Sequence, residues 1–498
     1  MYTYLFLAVY TFFLMYLCAG MSPFSDYPGT DSNVFFTIGR AMVHGKVPYR
    51  DLFDHKGWYI YFFNYLGALI SESSTVGIFL VECCFTFLDS LLYYKIFTNI
   101  SKDKNKSLMS VLIMLLIFFN YRTFQLGDLT ESFALTFQLL SFHLIIKYYR
   151  SDPAVIHPCI FMFIHGVCGG VALMLRANMI IMWSSVAIVI LTRLVMHGEY
   201  KNAVLNLISG LAGLAAALAP PVLYAFFTSS LGDMYEQSIL FNMIYSGNES
   251  LFAKISGTFT NPAGIAVLLG CVISFLTVFK RCKEPWIISM FSIALFISVF
   301  AISLSGRSYG HYYIYLIPLL IPLVNAFTDQ LFSKFPVAGT RYLTAAVVLL
   351  FIATVILNIP IGFRLRIKRN CWYHYNAYKI IAEDYRKIGR KKDTVLVHGE
   401  TRYYNDLDVV PRLKYFYTPS LPYDSFPYAV EAQRDSIIRC ENDVVILFYE
   451  NEDSLNRKAP YLGDEKDAQV MTVLEQKYDL TTEVKDRYCV QMWVKKQK

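Results

Sequence analysis

The chain has 498 residues, of which 55% are hydrophobic, 16% aromatic and 17% charged, with a formal net charge of +7. A soluble domain carries nearer a quarter charged residues, so this composition excludes an ordinary soluble protein and indicates a polytopic α-helical membrane protein. No basic stripe with interleaved aromatics sits on a soluble module, which argues against nucleic acid as a partner and makes the surplus of Lys and Arg a report on topology.

Taking about 20 apolar residues per crossing, about eleven transmembrane helices are expected. They fall near 1–21, 75–98, 107–120, 128–149, 158–175, 178–196, 203–228, 263–280, 286–305, 312–330 and 341–362. Met1–Gly20 lacks a basic leading region and a small-residue cleavage site, and reads as a retained first span. Lys102, Lys104, Lys106, Lys147, Arg150, Arg193, Lys201, Lys280, Arg281, Lys283, Lys334 and Arg341 all fall on one side. The positive-inside rule makes that side the cytoplasm, together with the N-terminus, and puts loops 22–74, 121–127, 229–262 and 306–311 outside. Arg40, Lys46, Arg50 and Lys56 in the first outer loop oppose the rule, as do Arg364, Arg366, Lys368 and Arg369 after the last span. Bases held outside against the rule are candidates for binding an anion.

The first outer loop predicts amphipathic helices. Asp31-Ser32-Asn33 predicts the N-cap of a helix through Val34, Phe35, Ile38 and Met42 to His44-Gly45, with its apolar residues on one face. Pro48–Asp51 predicts a turn, and Gly57–Ile70 a second, aromatic helix that is short for a crossing. From about residue 370 the composition changes. Asp393–His398, Asp443–Glu450 and Tyr488–Val494 predict buried strands, and Tyr373–Ile388 and Ala429–Arg439 amphipathic helices. Two domains follow: 1–365, a transmembrane catalytic domain, and 366–498, a small soluble α/β domain placed outside by the odd span count.

Polar groups between spans are costly, so those in the outer loops are functional candidates by default. Asp26, Asp31, Asp54, His55 and Lys56 gather in the first outer loop, and Asp54, His55 and Lys56 are adjacent and suited to a charge-linked set. Such a set is equally what a polar loop packing on itself would contain. Arg307 and His311 lie four apart at the outer mouth of a span, suited either to a phosphate or to headgroup snorkelling. Asp128 and Glu131 flank the outer start of the fourth span, where capping is the default and a second catalytic or sugar-binding acid the sharper alternative. Arg176 and Asn178, between spans five and six, are equally suited to interhelical hydrogen bonds and to ligand contact. Asp406-Leu407-Asp408 has the DxD form of a metal-holding motif, a weak signal when alone. Gly169-Gly170 and the Gly/Ala run at 210–218 are explained by close helix packing.

An acid just beyond a first span, an amphipathic loop helix and the turn Pro48-Tyr49-Arg50-Asp51-Leu52-Phe53-Asp54-His55-Lys56-Gly57 together resemble the GT-C superfamily of membrane glycosyltransferases. The resemblance is to the branch of protein O-mannosyltransferases and lipid A aminoarabinose transferases. Gly306–Tyr313 and Val410–Phe416 are similar to that group as well. The resemblance implies transfer of a sugar from a polyprenyl-phosphate donor to a hydroxyl of a glycan, lipid or protein acceptor, at the outer face of the plasma membrane, by inversion and without a resident cofactor, a divalent metal being left open. Members carry an acidic pair just beyond the first helix. Asp31 matches its first acid and is the implied base, Ser32 stands where the second would be, and Asp26 is the fallback. Capping of the loop helix is the plain alternative for Asp31. Lys56 matches the family's Lys before a Pro-rich turn, replaced here by Gly57-Trp58, and with His55, Asp54, Asp128, Glu131, Arg176, Arg307, Tyr309 and His311 makes the expected substrate-binding set. Competing expectations are an envelope polysaccharide polymerase or ligase, and a lipid-linked sugar transporter or flippase.

Overall fold

The computed structural model describes residues 2–26, 28–151, 155–246, 250–334, 340–358, 373–388, 394–398, 401–419, 421, 423–450, 464–485 and 488–496. The bases at 364–369 and the expected domain boundary at 365/366 lie outside them. The helices are α1 (Tyr2–Cys18), the loop helices α2 (Thr30–Val43) and α3 (Trp58–Ile70), α4 (Val76–Ser101), α5 (Lys104–Phe118) and the single turn α6 (Tyr121–Phe124). Then come α7 (Thr130–Ser151), α8 (Cys159–Leu173), α9 (Ile181–Met196), α10 (Tyr200–Phe227), the short α11 (Leu231–Tyr235), α12 (Phe241–Tyr245) and α13 (Leu251–Thr258), and α14 (Pro262–Arg281), α15 (Pro285–Ser303), α16 (Ile321–Lys334) and α17 (Thr340–Asn358).

Each of the expected apolar stretches falls on a helix. Among the described residues, 6 helices are long and apolar enough to cross a membrane: Val76–Ser101, Ala177–Met196, Tyr200–Phe227, Pro262–Arg281, Pro285–Ser303 and Gly310–Lys334. The last of these departs from expectation. Its first 11 residues, Gly310–Leu320, form a 3-10 helix that only then becomes α16. Runs of this length are uncommon, because 3-10 hydrogen bonds are poorly aligned. Here Pro318 removes one N–H donor from the ladder, and the whole segment is buried and held from outside. The Tyr313 hydroxyl donates to the Thr258 carbonyl at 2.5 Å, and that of Tyr315 to the Met179 carbonyl at 2.5 Å.

The expected cap of α2 is also displaced. The helix begins at Thr30 behind Gly29, with no side-chain cap hydrogen bond, so Asp31 lies in the first turn. Ser32 and Asn33 are spent elsewhere. The Ser32 hydroxyl donates to the carbonyl of Gly127 at 3.1 Å, and the Asn33 amide to that of Gly29 at 3.0 Å.

Beyond residue 372 the described elements are α18 (Tyr373–Ile388), β1 (Val395–His398), α19 (Arg402–Asp406), α20 (Tyr428–Ile438), β2 (Val444–Glu450), α21 (Glu465–Lys477), β3 (Tyr478–Lys485) and β4 (Tyr488–Lys495). They build a 4-stranded sheet of order β1-β2-β4-β3, parallel between β1 and β2 and antiparallel elsewhere. β3 was absent from the expectation for a physical reason. It is an edge strand that buries only Tyr478 and Thr482, so it carries no apolar run.

The small residues of α8 and α10 do what their composition predicts. A Cβ on Gly213 would lie 2.0 Å from the Phe163 carbonyl oxygen, and one on Gly166 2.0 Å from that of Gly210. Backbone meets backbone there, which requires glycine. Gly213→Val should therefore lower the thermal unfolding midpoint of the detergent-solubilised chain, at a cost of ~1–3 kcal/mol. An unchanged midpoint would refute this packing.

Candidate active site

The turn between α2 and α3 folds on itself before it meets anything else. The Tyr49 amide donates to the Leu52 carbonyl at 2.8 Å, and the Val47 amide to Asp51 Oδ2 at 2.8 Å. Tyr49 takes φ +70, which turns its hydroxyl under the chain to the Lys56 carbonyl at 2.9 Å. Gly57 ends the turn against α8, where a Cβ would lie 2.2 Å from the Met174 carbonyl oxygen.

Asp54 is the centre of this turn and is buried. Its Oδ1 accepts from the His55 amide at 2.8 Å and from the Tyr417 hydroxyl at 2.5 Å, and its Oδ2 from the Tyr61 hydroxyl at 2.8 Å. Burial works against the charge, but His55, the Lys56 ammonium and the Tyr417 hydroxyl outweigh it and pull the carboxyl down to about 2. His55 Nδ1 faces Asp54 Oδ1 at 3.2 Å, and its Nε2 meets Lys56 Nζ at 3.1 Å. Burial, and then Lys56, push the imidazole below the usual histidine range, so the ring is neutral. With its proton on Nδ1 it accepts from the ammonium at Nε2. The three consecutive side chains thus form a carboxylate–imidazole–ammonium line that aims Lys56, which makes no ion pair among the described residues.

Lys56 points into a cavity of about 340 Å³. Asp31 and Thr30 from the first turn of α2 line it, as do Asp54 and His55 from the turn, Gln125 and Tyr309 from later loops, Tyr245 from the end of α12, His311 and Tyr312 from the 3-10 helix, and Thr401 and 417–419 from the C-terminal part. The Asp31 carboxylate is only partly buried and makes no hydrogen bond among the described residues. His311 is fixed through Nδ1 to Gln125 Oε1 at 2.6 Å and stacks on Tyr309. Gln125 itself begins a run of left-handed backbone, with φ of +46, +80, +82 and +49 at Gln125, Leu126, Gly127 and Asp128. Left-handed conformation costs roughly 1–2 kcal/mol at each non-glycine residue, and such strain gathers at functional sites. The run is pinned by the Gly20 amide on the Leu126 carbonyl at 2.7 Å and by Ser32 on that of Gly127.

Of the residues expected from sequence, Asp31, Asp54, His55, Lys56, Tyr309 and His311 meet in this cavity. Arg307 sits at its rim, its guanidinium 5.5 Å from the Tyr245 ring. Glu131 and Arg176 lie behind the wall as an ion pair of 2.5 Å, with Arg176 3.7 Å from the ring of Tyr312. Asn178 binds the Ala301 carbonyl at 2.7 Å, an interhelical hydrogen bond. Asp128 is fully buried against Asn64, at 3.0 Å, and beside Glu82. Burial and the nearby Asp31 charge hold its carboxyl above the usual range, against the Asn64 amide. Asp26 is not brought to the cavity; it borders a separate cleft with Arg402 and Asp406. The DxD acids serve different arginines, Asp406 pairing with Arg402 at 3.1 Å and Asp408 with Arg40. Among the described residues no group of three or more His, Cys, Asp or Glu is placed to hold a metal ion.

Sequence reasoning did not find Gln125, Tyr245, Tyr312, Thr401 or Tyr417. Two of them left a signal: Tyr312 lies inside Gly306–Tyr313, and Tyr417 directly follows Val410–Phe416, the segments that carried part of the resemblance. That segment docks onto the turn, the Phe53 amide donating to the Lys414 carbonyl at 2.8 Å and Lys414 pairing with Asp233 at 2.6 Å.

Apolar helices long enough to cross a membrane, a folded first loop and a C-terminal α/β part closing one cavity define the fold of a multi-helix membrane protein. The arrangement is similar over 98% of this chain and 97% of that chain to crystal structures of ArnT from Cupriavidus metallidurans. The form bound to undecaprenyl phosphate matches with a TM-score of 0.62 at 13% identity, and the apo form with 0.62 at 11%. The archaeal oligosaccharyltransferase AglB from Archaeoglobus fulgidus matches at 0.46 and 12% identity, over 89% of this chain and 69% of that one. Within that fold the chain belongs to the family described as "Putative competence-induced protein Ccs4 N-terminal domain", whose model matches residues 2–359. No curated protein matches it.

A carboxyl held below its ordinary value of 3.8 contributes stability that is present above that value and lost as pH falls toward about 2. Asp54→Asn should therefore melt below wild type at neutral pH by about 2 kcal/mol, and the gap should close between about pH 4 and pH 2. Thermal melts across that range check it; a gap independent of pH would show that Asp54 is not charged in the folded protein.

Proposed function

We propose that this protein is a membrane glycosyltransferase that moves a sugar from a polyprenyl-phosphate-linked donor to an acceptor hydroxyl. The reading rests on one observation: Asp31, a carboxylate without a hydrogen bond, and Lys56, an aimed ammonium without an ion pair, among the described residues, line the same cavity. Transfer from a lipid phosphate needs both. As the acceptor oxygen bonds to the anomeric carbon, its proton passes to Asp31 acting as general base. The bond from that carbon to the donor phosphate oxygen breaks with inversion, and negative charge grows on the departing phosphate. Lys56, held in place through His55 and Asp54, receives that charge, with His311 in the same cavity and Arg307 beside Tyr245 at its rim. ArnT, whose fold this chain shares, has a crystal structure with undecaprenyl phosphate bound, which supports a polyprenyl phosphate as the donor lipid here.

The same reading takes all eleven apolar stretches as spans of the plasma membrane, with a cytoplasmic N-terminus. The cavity and the α/β domain, from about residue 366, then face outward. The acceptor, a glycan, lipid or protein of the cell envelope, approaches past Thr401 and Tyr417, the wall supplied by the C-terminal part.

Asp31→Asn should lower sugar transfer by at least ~10²-fold, with membrane level and melting behaviour retained. The assay is transfer from polyprenyl-phosphate sugars in membranes carrying the variant, and an active Asn variant would remove Asp31 from the mechanism.

A further inference from the structure

A second cavity, of about 420 Å³, lies among α7, α9, α14, α15 and α16 and takes no part in the chemistry above. Leu129, at the head of α7, borders the active site, whereas Ile145 on that helix lines this cavity. At 1.5 Å per residue the two are roughly 24 Å apart. Its walls are apolar, among them Phe142, Ile145, Met182, Met290, Phe291 and Ala294. Its polar groups include Arg281 and Asn325. The Asn325 amide donates to Asp329 at 3.3 Å, while its Oδ1 is buried without a partner. Asp329 is shared by Lys106 at 3.5 Å and Arg281 at 3.7 Å, long contacts that leave both cations weakly compensated. Lys280 and Lys283 flank Arg281 in the chain, so four cations stand against Asp329 and Glu284.

The pocket is half open and walled by apolar side chains, which suits it poorly to water. For a chain embedded in a bilayer the available filler is hydrocarbon. The surplus of positive charge beside the cavity specifies what the hydrocarbon is attached to. We propose that the cavity takes an acyl chain of an anionic membrane phospholipid, with the headgroup phosphate against Arg281. The guanidinium forks to two phosphate oxygens, and the apolar walls hold the chain. This lipid is a resident of the fold, independent of the donor and of the sugar-transfer reading.

The full chain, purified in detergent and delipidated, is to be titrated with phosphatidylglycerol and with phosphatidylcholine of the same acyl composition. Native mass spectrometry reads bound lipid, and the thermal midpoint reads its effect. Phosphatidylglycerol should bind one per chain and raise the midpoint, and phosphatidylcholine should bind more weakly. Arg281→Gln, at a half-exposed position, should weaken phosphatidylglycerol about fivefold and phosphatidylcholine, which has the phosphate but no net charge, by less, so that the preference between the two narrows. Ala294→Phe, which fills the cavity, should abolish retention of both, with sugar transfer unaffected. Equal binding of the two lipids by wild type, unaltered phosphatidylglycerol binding by Arg281→Gln, or one-for-one displacement by undecaprenyl phosphate would each overturn the proposal. Should Ala294→Phe fail to fold, the Arg281→Gln titration decides. Transfer activity is scored separately, so the catalytic reading stands or falls on its own.

Discussion

A buried carboxylate is stable only where donors and cations are delivered to it from several directions, and Asp54 is the point where this chain does so. Its partners come from three elements: His55 beside it, Tyr61 in α3, and Tyr417 from the distant C-terminal part. Taking the carboxylate out of water costs several kcal/mol, which these contacts offset only when all are present. The turn, the loop helix and the C-terminal segment are thus held in one geometry. The same contact fixes His55, and His55 fixes Lys56. One interaction therefore sets both the closure of the cavity and the direction of its cation.

The rest of the site follows from elements that are rigid for other reasons. Asp31 is presented by the first turn of α2, whose next two side chains are tied to the backbone at 127 and 29. His311 stands at the start of a buried 3-10 helix, and its ring is set by Gln125 in the left-handed run. That run is strained, and it is pinned to the end of α1 and to α2. Asp31, without a hydrogen bond, and Lys56, without an ion pair, among the described residues both line the open cavity.

The C-terminal part does more than attach to the bundle. Arg40, buried in α2, donates to the Tyr404 carbonyl at 3.1 Å and pairs with Asp408. Arg402 reaches the Asp26 carbonyl at 3.1 Å. Part of what first reads as a surplus of bases in an outer loop is therefore mortar between two parts of the chain. Lys56 instead lines the cavity.

Much of this was legible in order of sequence. Apolar length sets helices, so every expected stretch lands on one; small residues at 170 and 213 set a close crossing; and Asp31, Lys56 and His311 declare themselves because charge is expensive between spans. These are local properties, carried by composition and spacing. Only the tertiary structure decided which polar residues share a space. It separated Asp26 from Asp31, paired Glu131 with Arg176, buried Asp128, and brought Tyr417 to Asp54 across more than three hundred residues. It also turned the start of the tenth apolar stretch into a 3-10 helix and added the edge strand β3. The physical reason is common to all of these. A hydrogen bond or ion pair between distant segments leaves no periodic trace in the chain, because its energy depends on where two backbones have been placed by apolar burial elsewhere.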